Sequence, residues 1–177
     1  MADPGLRSSR QPRRPTAPER AGIRQASLYY HVEGKPQLLQ ELLDASVRPT
    51  LEGLDELLAG ADPVAALHAL VLRDVQTLLQ APHNLAVLYL TPELGAPEFA
   101  GIREARARLR EAYEQLAERI GGAADAPFRG AACLQLVEMV IELRQRGAVP
   151  PDVRERIAEA CLRVAGAAPA DLARAAG

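Results

Sequence analysis

The sequence predicts an all-α fold, and three observations carry that prediction. Alanine and leucine make up roughly a third of the chain, and both are strong helix formers. Apolar residues recur at three- and four-residue intervals through most of the length, the signature of helices with one buried face. Aromatic residues are only 3% and tryptophan is absent, so the core has to be built mainly from Leu, Ala and Val. At 177 residues, 48% hydrophobic and 25% charged, the balance is that of a soluble globular protein with one domain, or a small module joined to a larger one.

Residues 1–15 are rich in Pro, Arg and Ser without apolar periodicity and read as a disordered basic arm. Six arginines against two carboxylates leave +4 in residues 1–31, and −6 in the remainder of a chain whose total is −2. That asymmetry fits an amino-terminal part that meets a polyanion, or a solvated tail. A short helical piece is expected around Ala17–Ala21, a turn at Gly22, and a helix over about 24–31. Gly34-Lys35-Pro36 opens the next helix, striped by Leu38, Leu39, Leu42, Leu43 and Val47. Pro49 is expected to kink or break it, with Leu51, Leu54, Leu57 and Leu58 resuming the pattern up to Gly60.

Asp62-Pro63 is a helix start, an N-cap acceptor followed by proline at the first helical position. Val64, Leu67, His68, Val71, Val75, Leu78 and Leu79 then share one face. A shorter helix is expected over about 82–90, and a long one from about Pro97 to Ile120, with Ile102, Ala105, Leu109, Ala112, Tyr113, Leu116 and Ile120 inward. The helix from about 127 to 146 is apolar around most of its circumference, with Gln135, Glu138 and Glu142 in one narrow stripe. Such a helix must be covered on two sides, by other helices of the chain or by a second copy. After Pro150-Pro151, a last long helix carries Val153, Ile157, Ala160, Cys161 and Val164 on one face.

Function rests on one stretch. "AGIRQASLYYHVEGKPQLLQELL", residues 21–43, sets two tyrosines, a serine and a histidine at the end of a short helix beside the arginine-rich arm. A helix in a DNA major groove needs hydrogen-bonding side chains at its exposed amino-terminal end, because base edges carry the donor and acceptor code. Arg24, Gln25, Ala26 and Tyr29 are the candidates for base edges, and Ser27, Tyr30, His31 and Lys35 for phosphates. Tyr30 reads equally as a half-buried packing residue, and His31 as a helix-terminal surface histidine.

The same stretch resembles the DNA-binding segment of the TetR family of ligand-responsive transcriptional repressors. There a Gly-containing turn leads into a recognition helix ending in Leu-Tyr-(Tyr/Trp)-His, then a lysine and a leucine-rich linking helix. The match covers about residues 19–43 and implies these same roles. It departs from the family pattern before Gly22, where three prolines between residues 12 and 18 stand in place of an amphipathic first helix. Glu33 also puts a negative charge near the expected DNA backbone.

The resemblance implies three parts: the arm, an incomplete helix-turn-helix segment over 16–47, and a helical ligand-binding and dimerisation domain over 48–177. It implies double-stranded operator DNA and an unidentified small-molecule effector as partners. It also implies a homodimer, placed through the helices at about 127–146 and 151–166. Polar or aromatic residues on apolar faces mark the expected effector site: His68, Tyr89 and Tyr113, with Met139 as an adaptable wall. His68 also reads as a hydrogen-bonded core histidine, and Tyr113 as a core residue.

Other classes find little support. The histidines show no metal spacing, there is no glycine-rich phosphate loop, and an enzyme, a cofactor or a metal is not expected. Cys133 and Cys161, among apolar neighbours, read as reduced core thiols. There is no secretion signal after the arginine pair and no 18-residue apolar run, so a cytoplasmic protein is expected. The competing reading is a dimeric helical small-molecule-binding protein whose DNA head is vestigial.

Overall fold

The computed structural model describes residues 40–81 and 95–175, and every regular element among them is helical. The arm, the recognition segment with Arg24 to Lys35, the helix expected over 82–90 and Tyr89 lie outside the described residues.

Helix α1 occupies residues 40–51. Leu43, Ser46, Val47 and Thr50 form its buried stripe, at the spacing one helix face requires. Asp44 and Arg48 pair on its outer side. Pro49 does not break this helix. Its ring lies on the exposed side, and the chain stays helical through Leu51. The break comes at Glu52 and Gly53. Gly53 takes φ 71°, where a side chain would be strained, and the Arg73 guanidinium donates to the Glu52 carbonyl. A terminal carbonyl taken by Arg73 and a residue tolerant of left-handed backbone decide the stop more firmly than a proline facing water.

Helix α2, Leu54–Ala59, buries Leu54. Helix α3, Pro63–Gln80, starts as its sequence signal requires: Asp62 accepts from the Val64 and Ala65 amides at 2.9 and 3.1 Å. Those amides, Ala65's foremost, hold the Asp62 carboxyl below its usual range. A single 3₁₀ turn, Pro97–Phe99, leads into α4, Ala100–Gly121. Phe99 and Ile102 pack with Leu43 in a small cluster that ties α1 to this corner.

Helix α5, Ala126–Gln145, runs against α4. Gly130 permits that approach, since a Cβ there would lie 2.7 Å from the backbone of Glu114. Helix α6, Val153–Ala165, buries Val153, Ile157, Ala158, Cys161, Leu162 and Ala165, a wider face than the sequence stripe suggested. It closes at Gly166, φ 92°, with the Ala167 amide returning to the Leu162 carbonyl at 3.0 Å. A short α7, Pro169–Ala175, which the sequence reading did not separate, folds back and packs Leu172 against the core. One continuous core joins α2 to α6. Outside it, Phe128 is 75% exposed and Met139 41% exposed, both on α5.

Candidate functional site

Among the described residues, the apolar interior holds one buried carboxylate. Asp74, on the core face of α3, is 2% exposed. Thr50 of α1 donates to its Oδ1 at 3.2 Å, and Tyr113 of α4 donates to Oδ2 at 3.0 Å. Thr50 also reaches Thr77 at 3.2 Å, and Thr77 donates to the Arg73 carbonyl at 2.9 Å. Burial pushes the Asp74 carboxyl up to about 7, against the opposing pull of the Tyr113 and Thr50 hydrogen bonds. Burial likewise holds the Tyr113 hydroxyl well above its usual range, with the nearby carboxylate adding to it. The carboxyl therefore exchanges its proton close to neutrality.

Beside Asp74 lies a small, partly open cavity of about 20 Å³, lined by Ser46, Asp74, Leu78, Arg106, Leu134 and Glu138 among others. That volume admits about one water. An occupant of metabolite size requires its walls to part. The outer wall is an ion pair, Arg106 to Glu138 at 2.5 Å, braced by Gln135 donating to Glu138 at 2.8 Å. Both partners are partly exposed, so this wall faces water on one side.

A second, shallower space of about 420 Å³ lies between α3, α6 and α7. Its floor is Leu72, Leu162 and Leu172, its rim carries Asp152, Glu155 and Glu159, and His68 stands at its edge. That volume is within the range of small-molecule sites. Among the described residues, no group of three or more His, Cys, Asp or Glu is arranged to hold a metal ion. No described helix is long and apolar enough to cross a membrane.

The four residues expected at an effector site are thus not gathered in one place. His68 lines the α3–α6–α7 groove, Tyr113 is buried against Asp74 one side chain away from the small cavity, and Met139 lies on the outward side of α5. Sequence reasoning missed Asp74, Thr50, Thr77, Arg106 and Glu138. A signal for the first existed. Asp74 falls three residues after Val71 and four before Leu78, inside the apolar stripe of α3, where a carboxylate has no structural reason to be unless partnered.

The chain aligns with the crystal structure of Mycobacterium smegmatis AmtR at 40% identity, over 88% of this chain and 77% of that one, with a TM-score of 0.69. No protein-family profile matches the chain. No curated protein matches it either.

Proposed function

Because this chain belongs to the TetR family of transcriptional regulators, as its likeness to AmtR shows, we propose that it acts as a homodimeric, effector-responsive repressor. In this reading Arg24, Gln25, Ala26 and Tyr29 contact base edges, while Ser27, Tyr30, His31 and Lys35 hold phosphates. The observation that carries it is the Thr50–Asp74 hydrogen bond. Helix α1 follows the recognition segment in sequence, and its last turn is bonded to Asp74, the one buried carboxylate among the described residues. A small polar molecule that parts the Arg106–Glu138 wall and competes for Asp74 removes that bond and changes the position of α1. Such an effector must favour the displaced state, since only differential affinity shifts an equilibrium.

The dimer reading is supported by α5, whose Phe128 and Met139 stay exposed on a helix otherwise packed on α3, α4 and α6. A second copy docking through α5 and α6 would cover them.

The test is a fluorescence polarisation titration of the full chain against the DNA upstream of its own coding sequence, at several salt concentrations. The reading expects tight binding whose affinity falls steeply with salt, because phosphate neutralisation releases counterions. A protein that sediments as a dimer yet binds none of that DNA supports instead a dimeric small-molecule binder with a vestigial head.

A further inference from the structure

Cys133 and Cys161 are the chain's two cysteines, 28 residues apart in sequence, and both are buried. The fold brings them face to face where α5 crosses α6. Cys133 Sγ lies 3.4 Å from the Cys161 carbonyl oxygen, and Cys161 Sγ lies 3.6 Å from the Cys133 carbonyl oxygen. The contact is reciprocal, so the two side chains lie side by side in one small space at the α5–α6 crossing.

The contact with Cys133 and burial both raise the Cys161 thiol, and the two sulfurs titrate as a pair.

We propose that Cys133 and Cys161 form a redox modification site that closes to an intramolecular disulfide between α5 and α6 when the protein meets a peroxide. One of the two sulfurs, as its thiolate, attacks one peroxide oxygen and the O–O bond breaks. The departing oxygen takes a proton and leaves as water, and that cysteine becomes a sulfenic acid. The other sulfur then attacks the sulfenic sulfur; its proton leaves with the sulfenic hydroxyl as a second water. Two thiols and one hydrogen peroxide become one disulfide and two waters, the sulfurs oxidised and the peroxide reduced. Neither thiol touches bulk water, so the step waits on local opening and is slow; the bond, once formed, is equally shielded from reductants. The bridge fixes α6 against α5 and closes a loop of 28 residues.

The experiment treats the reduced full-length protein with hydrogen peroxide under native conditions, then denatures it, blocks free thiols with iodoacetamide and measures the intact and peptide masses. The expected product is a monomeric chain lighter by two hydrogens, with the Cys133 and Cys161 peptides linked, no alkyl label, and reversal by dithiothreitol. Its thermal midpoint rises by roughly 5–10 °C for a loop of this size, and the rise is lost in Cys133→Ser and Cys161→Ser. Full alkylation of both cysteines after treatment overturns the proposal. So does a disulfide between chains, or oxidation of either sulfur to sulfonic acid without a bridge. The wild-type masses decide the matter even if a serine variant folds poorly.

Discussion

At Asp74 a carboxylate is held where its charge is costly, and the cost depends on pH. Its folded pKa is raised to about 7 from an ordinary value of 3.8. The native state therefore keeps a proton that the unfolded chain gives up, so stability from this group is greatest below about 4. It falls as pH rises from about 4 to about 7 and is flat beyond. The loss is on the order of a few kcal/mol. Asp74→Asn is expected to flatten this slope, measured by urea denaturation between pH 4.5 and 8. Thr50→Val and Tyr113→Phe each remove a hydrogen bond that favours the charged form. Both are expected to push the Asp74 titration higher, the tyrosine change more so, and to extend the sloping region above pH 7. If the stability profiles of all three variants superimpose on the wild type, Asp74 is not the group that titrates.

Between elements, what was legible in the sequence was punctuation with a local cause. Asp62-Pro63 opens α3 and Pro150-Pro151 precedes α6, because an N-cap oxygen or a missing amide acts within one turn and needs no partner from elsewhere. Asp62→Ala is expected to lower the thermal midpoint by roughly a few degrees, by scanning calorimetry at neutral pH. What was not legible depended on tertiary neighbours. Pro49 looked like the breaker, yet Gly53 is, since Arg73 of α3 is there to take the Glu52 carbonyl. The candidate site was hidden for the same reason: Thr50, Asp74 and Tyr113 belong to three helices, and nothing local says they meet. Gly130, unremarkable in sequence, sets the α4–α5 spacing. Gly130→Ala is expected to cost about 1–3 kcal/mol by overpacking against immovable backbone, read from denaturant midpoints.

For the molecule as a whole, the all-α architecture followed from composition and periodicity, and the likeness to AmtR agrees with it. The outward side of α5 bears the remaining prediction. Phe128→Glu combined with Met139→Glu is expected to yield a monomer by sedimentation velocity with unchanged far-ultraviolet circular dichroism. A double variant that remains dimeric would place the subunit contact elsewhere. The stop at Gly53 has a mechanical consequence. Helix α1 spans residues 40–51, roughly 17 Å at ~1.5 Å per residue, held near its end by the Thr50–Asp74 bond and nearer its start by Leu43 against Phe99 and Ile102. In the proposed mechanism, loss of the interior Thr50–Asp74 bond is passed along the helix to the end that leads back in sequence toward residues 24–35.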